Sequence, residues 1–190
     1  MPELLFAKQI EKPLTKTAIK KLKEDYRVAL SQKHPFPHFK GTAYPSLLQV
    51  LKRDSFTIGP YINITIFEAA NRIASDLTLL EGVLQLFKNK SITGSAIVKL
   101  RLGTMQEKGK GDFSVFDSGN ELQGEAFDVA PSFFKIKLYK TLKKWNDDKT
   151  FKYVVFNSDC LDDSSCKTYY KNQKSERSEI VFLGVSSWQK

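Results

Sequence analysis

Histidine and cysteine are scarce in this chain, two of each among 190 residues. His34 and His38 stand in "HPFPHF", far in sequence from Cys160 and Cys166 in "CLDDSSC", so a four-ligand zinc centre is not expected. The same shortage argues against a Ser-His-Asp hydrolase, since both histidines lie in a proline-broken loop and no G-x-S-x-G elbow is present. The cysteines are expected to be reduced thiols of a cytosolic protein. No apolar run approaches the ~20 residues needed to span a bilayer. The start, "MPELLFAKQIEK", lacks a basic region followed by an apolar stretch of signal-peptide length. A cytoplasmic location without a membrane partner is therefore expected. Acids are outnumbered as well: 21 Asp+Glu against 30 Lys+Arg leave a formal charge of +9, which favours polyanionic partners.

What is present reads as one α/β domain over residues 1–190. In "PLTKTAIKKLKEDYRVAL", Ala18, Ile19, Leu22, Tyr26 and Leu30 recur at helical spacing, with Thr15 available as a cap. "SLLQVLKRD" supports a short helix, so residues 1–60 read as an N-terminal helical extension. A long amphipathic helix follows in "TIFEAANRIASDLTLLEGVLQLFKN", with Ile66, Ala70, Ile73, Leu77, Leu80 and Leu84 on one stripe. "SAIVKLRL" alternates as a strand does, Ala96, Val98, Leu100 and Leu102 sharing one side. "PSFFKIKLYKTLKKW" returns to helix, with Pro131 in the first turn and Phe134, Leu138, Leu142 and Trp145 inward. "YVVFN" has the continuous apolar run of a central buried strand, and "EIVFLGV" supplies one more.

Between these lies "KGDFSVFDSGNELQGEAF", a hairpin whose two-residue loop would be Ser118-Gly119. Facing residues then pair Phe116 with Glu121, Ser114 with Gln123 and Asp112 with Glu125. Phe113, Val115, Leu122 and Ala126 take the core face, while Lys110, Asp112, Ser114, Gln123 and Glu125 take the other. Two carboxylates about 5 Å apart repel by roughly 3 kcal/mol at an effective dielectric near 20. A cation, Mg²⁺ or Mn²⁺, would relieve that repulsion. Two alternatives stay open: a longer loop that shifts the register, or Glu125 paired with Lys110 or with a lysine of the next helix.

The order helix, three strands, helix, strand over residues 61–157, with Asp112 in "KGDFSVF" and Glu125 in "LQGEAF", resembles the PD-(D/E)XK nuclease superfamily. The resemblance implies a restriction-endonuclease-like core, a mixed central sheet flanked by helices, followed by the final strand. It implies metal-dependent hydrolysis of nucleic-acid phosphodiesters, as by a DNA endonuclease of the restriction or defence type, DNA ahead of RNA, and a homodimer as in many such enzymes. Asp112, Glu125 and the carbonyl of Ala126 would hold the metal, and Glu68 is a further candidate ligand. Glu68 also completes a T-x-x-E capping box with Thr65. Phe127 stands where the family pattern has lysine, so Lys110, Lys135 and Lys137 are the candidates for that role. Gln123 would bond a phosphate oxygen. "CKTYYKNQKSER" offers Lys167, Lys171, Lys174 and Arg177 to phosphates and Tyr169 and Tyr170 to bases. The alternatives are a nuclease-like fold that only binds nucleic acid, and a basic module that meets an acidic protein.

Overall fold

The computed structural model describes residues 2–32, 44–103, 105 and 107–186. His34 and His38 lie outside the described residues. Two short strands, β1 (Glu3–Leu4) and β2 (Leu14–Thr15), precede α1 (Lys16–Ser31), whose N-cap Thr15 accepts from the Ala18 N–H at 3.3 Å. After α2 (Tyr44–Lys52), strands β3 (Phe56–Ile58) and β4 (Tyr61–Ile64) lead into α3 (Ile66–Lys88). β5 (Ile97–Leu100), β6 (Phe113–Asp117), β7 (Asn120–Phe127), α4 (Pro131–Lys144), β8 (Phe151–Asn157), α5 (Ser164–Glu176) and β9 (Val181–Val185) complete the order. β1, β4 and β3 form a small sheet, and β2-β5-β6-β7-β8-β9 a larger mixed one. The first sixty residues are thus more than helical, because β2 pairs with β5 and extends the main sheet.

The hairpin forms in the expected register from its turn to Phe113, with Ser114 opposite Gln123 and Phe116 opposite Glu121, but the ladder ends at Phe113 and Gly124, so the expected pair of Asp112 with Glu125 does not form. Ser118 (φ 51°) and Gly119 (φ 82°) both adopt positive φ, as a tight turn matched to strand twist requires. β7, β8 and β9 run parallel, joined through α4 and α5. Both faces of β8 are covered: Tyr153 and Val155 join the core beneath α3, while Val154 and Phe156 join Phe134, Leu138 and Leu142 of α4. That double burial explains its unbroken apolar run. The stripe of α3 is rotated by one residue from expectation at its start, Ala69 being buried and Ala70 exposed. Leu79, Val83 and Leu86 are buried too, so α3 hides a wider band than one stripe.

Candidate active site

At the carboxyl end of β7, where the chain leaves for α4, a cavity of about 380 Å³ opens between the two helical layers. Its charged walls are Arg72 and Asp76 from α3, Arg101 after β5, Asp112 before β6, Asp128 after β7 and Lys137 from α4. Three cations therefore face three carboxylates across one opening. The Ala126 N–H donates to Asp112 Oδ2 at 2.8 Å, so the acid caps the β7 backbone where the ladder with β6 has ended. Lys137 holds its Nζ 5.6 Å from the centroid of the Phe127 ring, a cation–π distance. Phe127 itself packs with Phe134 and Phe156 in the core. Lys137 thus brings an ammonium group to the wall of the cavity that Asp112 also lines.

Buried Arg101 donates from Nη1 to the Gly111 carbonyl at 3.1 Å and to Ser114 Oγ at 3.0 Å. Glu107 Oε2 lies 3.2 Å from its Nε, outside hydrogen-bonding geometry. Asp128 accepts from Thr78 Oγ1 at 3.3 Å and from Asn157 Nδ2 at 3.4 Å. Asp76 accepts from the hydroxyls of Tyr26 and Tyr61 and from the Gly103 N–H at 3.0 Å. Burial lifts the Asp76 carboxyl to about 6 against those three donors and nearby Arg72, and burial with that neighbouring acid raises both tyrosines.

The other expected site residues lie elsewhere. Glu125 sits on the α4 face, buried, its Oε1 taking Lys144 Nζ at 2.6 Å and Trp145 Nε1 at 2.8 Å. This is the pairing with a lysine of the next helix. Glu68 is N3 of α3, its N–H held by Thr65 Oγ1 at 3.2 Å, and its carboxylate bridges to Arg72 at 2.6 Å. Lys110 pairs with Glu121 at 2.7 Å rather than facing Phe127. The chain before β6 leaves the ladder there, the Gly111 N–H donating to the Gln123 side chain at 3.1 Å. Gln123 is consumed in the same buried network, taking the Ser114 hydroxyl at 3.0 Å and donating to Glu121 at 2.9 Å. Lys135 is exposed and does not line the cavity. "CKTYYKNQKSE" folds as α5, with Lys167, Lys171 and Lys174 exposed. Tyr170 turns inward against Phe156 and Phe182, Tyr169 stays half-buried, and Arg177 reaches Asn146 Oδ1 at 3.3 Å.

Magnesium or manganese would want several hard oxygen ligands. Among the described residues no group of three or more His, Cys, Asp and Glu side chains gathers closely enough to hold a metal ion. Asp112 and Ala126 line the cavity, whereas Glu125 and Glu68 do not, Glu125 giving Oε1 to Lys144 and Trp145 and Glu68 giving Oε1 to Arg72. The donor set drawn from the sequence does not fit a shared ion in this arrangement.

Compared with protein families, curated proteins and solved structures, the chain matches none.

No helix among the described residues is long and apolar enough to cross a membrane. Cys160 and Cys166 are free thiols, donating to the carbonyls of Val129 at 2.9 Å and Pro131 at 3.2 Å. Both bonds hold the connection from β7 to α4 against the residues that follow β8. Arg72, Asp76, Arg101 and Asp128 are not singled out by the sequence. Arg101 had a signal there, since an arginine opposite the apolar side of "SAIVKLRL" must find partners if that side is covered.

Proposed function

We propose that this chain is a nucleic-acid phosphodiester hydrolase with a restriction-endonuclease-like core, DNA being the first substrate to test. The single observation that carries the reading is Lys137: it leaves α4 to sit over Phe127 in the same cavity as Asp112. In this reading a phosphate enters beside Lys137, whose ammonium offsets charge gathering on the non-bridging oxygens. Asp112, oriented by the Ala126 N–H, accepts the proton of the attacking water as the water oxygen bonds to phosphorus, while the opposite P–O ester bond breaks and the sugar oxygen leaves with a proton from solvent. Arg101 keeps the Gly111–Ser114 segment in place and so holds Asp112. Glu125 takes no part in these steps. The test is cleavage of plasmid, single-stranded DNA and RNA, with Mg²⁺, Mn²⁺ or EDTA. Asp112→Asn and Lys137→Met should each lower cutting by about 100-fold or more. Undiminished cutting by both variants would sink the assignment. A second reading, binding without hydrolysis, is favoured by the tie of Glu125 to Lys144 and Trp145. It predicts salt-sensitive retention of DNA and no product under any of these conditions.

A further inference from the structure

α4 buries Phe134, Leu138 and Leu142, yet three large apolar side chains face away from the core: Phe133, Ile136 and Tyr139, at 62%, 54% and 56% exposure. At about 100° per residue they fall in one outward stripe, with Lys140 and Lys143 between them. Lys135, Lys137, Lys140, Lys143 and Lys144 are the only charged residues of the helix. The stripe has two margins. On one lies Lys137, which lines the cavity with Asp112; on the other Tyr139 begins a groove of about 520 Å³ between α4 and α5, walled by Tyr169, the amides of Asn146 and Gln173, the acids Asp147 and Glu176, and the cations Lys143 and Arg177.

A second copy of the chain would set these lysines against their own kind. An anionic bilayer would match the charge, but the groove beside Tyr139 offers amide and carboxylate groups that suit base edges better than acyl chains. Aromatic faces alternating with lysines are the arrangement by which unpaired bases stack while the backbone is neutralised. We propose that the outer face of α4, from Phe133 through Tyr139 into the groove against α5, binds single-stranded nucleic acid. Bases stack on Phe133 and Tyr139, and phosphates meet Lys140 and Lys143. The inference rests on the hydrolase reading only where it leads the strand past Lys137 into the cavity.

The experiment is fluorescence anisotropy with a labelled oligo-dT strand, beside cutting of the same strand and flotation with phosphatidylserine vesicles. Replacing Phe133 and Tyr139 together by Ala, and in a second variant by Leu, should weaken oligo-dT binding at least about tenfold. The Leu pair keeps the apolar bulk and removes the ring faces. Replacing Lys140 and Lys143 by Gln should lower the slope of log affinity against log salt by about 0.7 per lysine. Unchanged oligo-dT affinity in both aromatic variants overturns the proposal, and so does a parent protein that floats with vesicles but ignores oligo-dT. A parent that cuts while its aromatic variants bind and cut normally would spare the hydrolase and remove the platform. One that never cuts, but loses binding with the aromatic pair, would do the reverse.

Discussion

Glu125 shows how one carboxylate can be mistaken for another's partner. It occupies the face that strand alternation assigns to it, yet that face lies under α4, where Lys144 and Trp145 claim its oxygen. Its role here is to satisfy a buried indole N–H and one half-exposed ammonium. Glu125→Ala should therefore cost about 1–3 kcal/mol of stability, because Trp145 Nε1 loses its acceptor away from water. Lys144, 52% exposed, can hydrate when unpaired, and Glu125, 7% exposed, keeps the Trp145 donor, so Lys144→Ala should cost less than Glu125→Ala. Urea unfolding of the two variants measures the difference. Equal losses would mean that the ion pair, not the indole, governs the site. Asp112 differs in kind: it stands just before its strand and turns its carboxylate to the Ala126 N–H at the cavity wall.

At the scale of elements, the strongest periodic signals were readable and the shortest were not. The hairpin, α4 with its Phe134–Leu138–Leu142–Trp145 stripe, and the buried β8 follow from residue spacing, since each buries enough side chains to show its period. β1 and β2, of two residues each, carry no period at all. α5 was hidden because Cys166 is its one fully buried side chain; its start is visible only in Asp163, which caps the Cys166 N–H at 2.8 Å. That exposed capping carboxylate is pulled down to about 2, first by the Ser165 hydroxyl and then by the Cys166 N–H. The packing of α3 on β8 offers a test of closeness. A Cβ added at Gly82 would fall 2.2 Å from Val155 Cγ1. Gly82→Ala should destabilise the fold by about 1–3 kcal/mol through overpacking, despite the gain of roughly 1 kcal/mol in helix propensity. A thermal melt that rises instead would show that α3 can slide off β8 at no cost.

For the whole molecule, Asp76 is the joint between parts. It takes hydroxyls from Tyr26 on α1 and Tyr61 on β4, and the Gly103 N–H at the cavity rim. The N-terminal region is thereby bolted to α3 and to the strands that frame the cavity. Burial holds its carboxyl at about 6, above the usual 3.8. The folded protein therefore keeps a proton that the unfolded chain has released, and stability from this group falls as pH rises from about 4 to about 6. The change is on the order of 3 kcal/mol over that window and levels off above it. Asp76→Asn should remove this slope, read as denaturation midpoints at steps between pH 4 and 7; a slope that persists unchanged would place the titrating group elsewhere.

Spacing along the chain was enough to determine the α/β class, the hairpin register and the inner faces of α1, α4 and β5, because each depends on periods of 3.6 or 2 that burial imposes locally. Composition alone determined the surplus of positive charge. Which acid meets which base was decided only by tertiary structure. Lys137 reaches Phe127, and Lys144 reaches Glu125, because α4 folds back over the sheet in one particular alignment. No local period records that alignment, since it is set by how Phe134, Leu138 and Leu142 fill the space against β8.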